Sequence, residues 1–207
     1  MDLIYFDKKF ALSTHQPKIV LIDANDSFVH NIKDRFFQLG HSLEIIPYAA
    51  FDPEAPFTAD GVILSPGPGN ATAYRKWFHL LENIAPNIPV LGVCLGYQVI
   101  AHFYGARLEQ LNEVIHGQQH RCIQTAPHPL WKNIPTDFQT GRYHSWAIAM
   151  DALPECLLPI AKTADNCLMG IAHKSVPHMG IQFHPESFMC PEGAQIFKNF
   201  IALIPWE

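Results

Sequence analysis

Short apolar runs, each closed by a polar residue or a glycine-proline turn and followed by residues at helical spacing, dominate the first half of this chain. Ile19-Val-Leu-Ile-Asp23 is the first, and Asp26 to Leu39 follows with Phe28, Ile32, Phe36 and Leu39 at helical intervals and Gly40 as the stop. Leu43 to Ile46, Val62 to Leu64 and Pro89 to Val93 read as further strands, and Trp77 to Ile84 and Gly96 to Tyr104 as helices. A strand that is apolar at every position is buried on both faces, which is what a parallel sheet with helical crossovers demands. From Arg107 the texture changes to short alternating segments: Arg121 to Gln124, Arg142 to Ala149, Leu157 to Thr163, Leu168 to His173 and Met179 to Phe183. These predict mixed or antiparallel strands, and Glu192 to Leu203 predicts a closing helix. The expected fold class is α/β, an open, mostly parallel central sheet with helices on both faces and a mixed or antiparallel extension in the C-terminal half. A single domain is expected over residues 18–207, after an N-terminal extension over 1–17.

Composition narrows the function classes. Apolar residues make up 48% of the 207 and charged residues 16%, below the roughly 25% of an average soluble domain. The net charge of −5 comes without a basic block, so no nucleic acid partner is expected. No apolar run approaches the ~18 residues that a bilayer span needs, and the first residues lack the continuous apolar stretch of a signal peptide. The five cysteines are odd in number and contain no CxxC pair, which points to free thiols and a cytoplasmic location.

Gly92-Val-Cys94-Leu-Gly96 has the spacing of a nucleophile elbow, with sulfur in place of the usual hydroxyl. A strand turning abruptly into a helix strains the middle residue, and the flanking glycines remove Cβ atoms that would clash. Cys94 would then sit at a helix N-terminus, where the dipole favours the thiolate and the Leu95 N–H can bind an oxyanion. A thiolate that expels an amine also needs an oriented general acid. Ile181-Gln-Phe-His184-Pro-Glu186 supplies one: an apolar strand ends at His184, Pro185 fixes the turn, and Glu186 can hold the imidazole. Ser65-Pro-Gly67-Pro-Gly69-Asn70 follows another buried strand. Two of its positions are prolines without an N–H, so it suits an oxyanion donor and a wall for a small substrate rather than a phosphate cradle. Arg142-Tyr-His-Ser145-Trp146 could offer backbone groups to a small polar ligand. His116 and His120 have an i, i+4 spacing, but Gly117 stands between them and no third ligand is evident, so no metal site is expected.

Four ordered motifs, Ser65-Pro-Gly-Pro-Gly69, Gly92-Val-Cys-Leu-Gly-Tyr-Gln98, Arg142-Tyr-His-Ser145 and Gly180-Ile-Gln-Phe-His-Pro-Glu-Ser187, resemble the class I (triad) glutamine amidotransferases, from about Lys18 to the C-terminus. Leu21-Ile-Asp-Ala-Asn-Asp-Ser-Phe28 is similar to the opening of the glutaminase subunits of chorismate-using synthases, anthranilate synthase component II and its aminodeoxychorismate counterpart. The resemblance implies a flavodoxin-like fold, a catalytic triad of Cys94, His184 and Glu186, and L-glutamine as substrate. It also implies a γ-glutamyl thioester on Cys94 and no cofactor. By motif position, Gly67, Gly69 and Leu95 would line the oxyanion and substrate pocket. Gln98 would contact the glutamine, and Ser145 and Trp146 would offer backbone groups to its amino-acid end. A chorismate-binding synthase subunit is implied as the partner that receives ammonia.

The chain departs from these relatives at Tyr97, where they usually carry His, at Trp146, where Leu is usual, and at Gln118-Gln-His120, where Lys-Thr-Ser is common. The competing readings are a glutaminase serving a purine or carbamoyl phosphate synthetase, and a nonenzymatic regulatory module that kept the fold. The Asp26-Ser-Phe28 opening weighs against the first, and intact Cys94, His184 and Glu186 against the second.

Overall fold

Residues 19–22 alternate in the face they serve while all are buried, and this fixes the layering. In the computed structural model, which describes residues 16–205, strand β1 (Ile19–Asp23) sends Ile19 and Leu21 into one hydrophobic cluster and Val20 and Ile22 into another. The first cluster is closed by Ile32 and Phe36 of α1 (Val29–Gln38) and by Phe197 and Phe200 of α4 (Gly193–Ile201). The second is closed by Trp77 and Leu80 of α2 (Arg75–Asn83) and by Val99 and Ile100 of α3 (Leu95–Phe103). Helices therefore cover both faces, as the doubly buried strands require. Of the expected extension over residues 1–17, residues 1–15 lie outside the described residues.

The remaining strands are β2 (Leu43–Pro47), β3 (Gly61–Leu64), β4 (Val90–Val93), β5 (Leu108–Gln124), β6 (Asp137–Ile148), β7 (Leu157–Thr163), β8 (Leu168–His173) and β9 (His178–Ile181). They form one nine-stranded sheet in the order β2-β1-β3-β4-β9-β8-β7-β5-β6. β2, β1, β3, β4 and β9 run parallel, and β8, β7, β5 and β6 continue the sheet antiparallel. β9 inserts beside β4 with Val93 opposite Ile181, which brings a segment from late in the chain against the end of the Gly92 strand. Among the described residues no helix is long and apolar enough to cross a membrane.

One element differs from the expectation. β5 spans 17 residues, whereas the sequence pattern predicts a strand only over Arg121 to Gln124. Residues 108–120 are largely exposed and polar, so apolar alternation does not mark them; the ladder to β6 makes them a strand. The register breaks between Gln110 and Ile115 and again between His116 and Gln118, where Gly117 takes a φ of 65°. His116 and His120 thus lie on a bulged strand, not on a helix face, and among the described residues no cluster of three metal-type side chains occurs.

The start of α4 is seated on the turn that follows β9. A Cβ built on Gly193 would fall 1.7 Å from the Pro185 carbonyl oxygen, a contact that only backbone movement can relieve. Gly193→Ala is expected to destabilise the protein by about 3 kcal/mol or more through overpacking, read as a fall in the urea midpoint. It should also disturb the neighbouring His184-Pro185-Glu186 turn, so the variant's residual activity should fall further than its folded fraction.

Candidate active site

Cys94 joins β4 to α3 with φ 51° and ψ −100°, outside the regions that a residue with a Cβ ordinarily occupies. Its glycine neighbours explain how the chain tolerates this. A Cβ on Gly92 would lie 2.4 Å from the Gly96 carbonyl, and one on Gly96 would lie 2.2 Å from the Leu64 carbonyl. The helix can reach the sheet only without them. Two of the first free N–H groups of α3 are tied down, Cys94 to the Ile181 carbonyl at 2.8 Å and Gly96 to the Ser65 carbonyl at 3.1 Å. Helix geometry leaves the Leu95 N–H without an intrahelical acceptor, beside the sulfur.

His184 arrives beside this elbow because β9 pairs with β4, and its own N–H donates to the Gly141 carbonyl of β6 at 3.0 Å. Its Nδ1 lies 2.7 Å from Glu186 Oε1, and both side chains are buried. Burial alone would push the imidazole down. The Glu186 carboxylate and the Cys94 sulfur outweigh it and hold His184 well above its ordinary value, so the ring favours the imidazolium. His184 Nε2 and Glu186 Oε2 are buried without a hydrogen-bond partner. Unspent capacity in a buried pair is costly and is characteristic of functional sites. The ring edges of Phe28 and Tyr143 pack against the imidazole at centroid distances of 4.8 and 5.1 Å and fix its plane.

The sulfur opens into a cleft of about 160 Å³ lined by Gly67, Gly69, Cys94, Leu95, Gln98, Ser145 and Trp146, together with Val114, His116 and Tyr143. All six residues expected to bind substrate therefore meet in one small cavity. Cys94 is 6% exposed, enough to face the cleft but not bulk solvent. Gly67 needs its lack of side chain: a Cβ there would come within 2.5 Å of Ala24 and 2.6 Å of Leu95. Gly69 has φ 80° at the loop's turn. The Ser65 hydroxyl, fully buried, accepts from the Ala24 N–H at 2.8 Å and donates to the Pro66 carbonyl, which holds the loop against β1.

The Trp146 carbonyl accepts from Gln98 Nε2 at 3.0 Å and from His144 Nδ1 at 2.8 Å. Tyr97 points away from the cleft; its hydroxyl donates to the Leu168 carbonyl inside the core. Gln119 of the divergent segment donates to the Met189 carbonyl. Sequence reasoning missed Tyr143, His144 and Gln182 as site residues. Tyr143 and His144 sit inside the quoted Arg142 motif and Gln182 beside His184, so adjacency to known motif positions was the available signal.

The family model for glutamine amidotransferase class-I matches residues 20–203. The chain belongs to this family. Among curated amidotransferases, it is 34% identical over 192 residues to anthranilate synthase component 2 of Vibrio parahaemolyticus, covering 88% of this chain and 94% of that protein. It is 32% identical over 193 residues to the same component of Methanocaldococcus jannaschii, covering 89% and 96%. A solved chain from Thermoplasma acidophilum, assigned to a GMP synthase, superposes with a TM-score of 0.82 at 26% identity, covering 92% of this chain and 94% of that one.

As a class I amidotransferase, the chain makes the Glu186 charge testable. The carboxylate raises His184, so the imidazolium persists below the raised value and is lost as pH climbs through it. Glu186→Gln removes that contribution, and the alkaline limb of glutaminase activity should move to lower pH. Turnover should fall by about 10⁴-fold, still short of the loss in Cys94→Ala, as measured by glutamate release across a pH series.

Proposed function

We propose that this chain is a glutaminase subunit that hydrolyses L-glutamine to glutamate and ammonia and hands the ammonia to a chorismate-using synthase subunit. The observation that carries the reading is the strained Cys94, open to an amino-acid-sized cleft and set beside the buried His184–Glu186 pair. In this mechanism the Cys94 sulfur attacks the side-chain amide carbon, and the resulting oxyanion is met by the Leu95 N–H and the Gly67 to Gly69 loop. His184, as imidazolium, gives its proton to the departing ammonia, leaving a γ-glutamyl thioester. Water, deprotonated by the now neutral His184, attacks the thioester; glutamate leaves and the sulfur is restored. Glu186 orients the ring and compensates its charge throughout. Gln98, Ser145 and Trp146 surround the amino-acid end.

Anthranilate synthesis is favoured for the acceptor reaction because curated relatives at similar length carry that component's name. Aminodeoxychorismate synthesis uses the same half-reaction and is the second reading. A partner is required on chemical grounds: ammonia attacks only while unprotonated, so a released molecule must pass to its acceptor without equilibrating with water. Val114 and Phe188, 67% and 83% exposed, place unburied apolar surface beside the cleft and just beyond Glu186, which suits coverage by another protein chain. We further propose that residues 18–207 make up one amidotransferase domain.

The two other buried thiols, Cys122 and Cys190, are held protonated, which makes the nucleophile assignment testable. Burial pushes Cys122 up to about 12 and drives Cys190 higher still. A glutamine-like electrophile should therefore modify the wild-type protein once, at Cys94, and leave Cys94→Ala unmodified, as read by intact mass and peptide mapping. Labelling at Cys122 or Cys190 would overturn the assignment. With the native synthase partner bound, Cys94→Ala should lose glutamine-dependent product formation and keep ammonia-dependent formation. The product itself, anthranilate or aminodeoxychorismate, decides the pathway.

A further inference from the structure

Arg142, only 1% exposed, starts a run of hydrogen bonds that ends on the nucleophile. A guanidinium can only donate, so its Nε, 3.0 Å from His144 Nε2, makes that nitrogen the acceptor. His144 must then carry its proton on Nδ1 and donate it to the Trp146 carbonyl at 2.8 Å. Burial first, and the neighbouring Arg142 charge second, lower His144 to about 4, which keeps the ring neutral and this tautomer in place near neutral pH. The Trp146 carbonyl is an acceptor only, so Gln98 must turn its amide nitrogen toward it, at 3.0 Å. The same nitrogen lies 3.0 Å from Gln182 Oε1. Both Gln98 N–H bonds are then spent, and Gln182 is obliged to present its own amide nitrogen in the opposite direction. That nitrogen lies 3.6 Å from the Cys94 sulfur.

We propose that Gln182 is a catalytic residue of this site: an N–H donor with an enforced orientation that stabilises the Cys94 thiolate, with Gln98 as the residue that positions it. The proposal rests on Cys94 being the nucleophile and extends that reading. Gln182 is fully buried, so its hydrogen bond to an anionic sulfur is shielded from water, where such bonds are stronger than neutral ones. If the amide could rotate, it would offer its oxygen to the sulfur half of the time and repel a thiolate; the Trp146 carbonyl, acting through Gln98, prevents this. A corollary concerns substrate. Gln98 has no N–H left to give, so it can contact glutamine only through Oε1, as an acceptor.

The other ionisable groups around the sulfur are His184 backed by Glu186 on the β9 side, and Tyr143, His144 with Arg142, and His116 from the β5 and β6 side. None is removed by substituting Gln182, and Gln182→Met adds no charge beside them. The test is the rate of Cys94 alkylation by iodoacetamide from pH 5 to 10, without glutamine, in the full chain carrying Gln182→Met or Gln182→Glu, both confirmed as folded by circular dichroism. Gln182→Met keeps the length and removes the donor. Its alkylation midpoint should lie about one pH unit more alkaline, and well below that midpoint its rate at a given pH should be about tenfold slower. Gln182→Glu places an acceptor on the sulfur and should shift the midpoint further. A folded variant of either kind with the wild-type midpoint overturns the proposal. Glutamine plays no part in this readout, so failure of the glutaminase assignment, seen as absent labelling by the glutamine-like electrophile, is distinguished from failure of the role given to Gln182.

Discussion

The approach of Gly96 to the Leu64 carbonyl is the constraint around which the rest is arranged. A helix can follow β4 this tightly only if its first turn carries no side chain against β3, and only then does Cys94 take its left-handed conformation at the sheet's edge. Gly92 under Gly96 and Gly67 against Leu95 repeat the solution at the two adjoining contacts. The backbone strain at residue 94 is sustained because β3, β4 and β9 hold the elbow from three sides, through the Ser65 and Ile181 carbonyls as well as the buried apolar strand faces.

Around that elbow, polarity is assigned by position along the chain of contacts. Glu186 fixes which nitrogen of His184 is committed, and Arg142 fixes which nitrogen of His144 is committed. One imidazole is therefore held in the charged form and the other in the neutral form within the same site. The two rings have different duties because one faces a carboxylate and the other a guanidinium, and burial magnifies both differences.

How much of this could be read from sequence follows physical lines. The parallel half was legible because doubly buried strands leave continuous apolar runs, and β1, β3 and β4 lie where those runs stand. That Cys94 lies at an elbow with His184 and Glu186 beside it was legible because glycine spacing and a His-Pro-Glu turn have few other uses. β5 was not, since residues 108–120 are solvated and owe their conformation to a partner strand. The duties of Tyr143 and Phe28 against the imidazole depend on aromatic contacts between residues far apart in sequence, which no local pattern encodes. The orientation of Gln182 is legible only through hydrogen bonds that run from the Trp146 carbonyl by way of Gln98, residues far from it in sequence.

The insertion of β9 between β4 and β8 has a consequence for the nascent protein. The elbow at residue 94 is made from local sequence, while its imidazole and its amide neighbour are translated about 90 residues later. A polypeptide emerging from the ribosome thus carries a sulfur without its chemistry until the last parallel strand slots in beside it. On the proposed mechanism, a chain that ends before that strand holds the thiol but has no general acid with which to release ammonia.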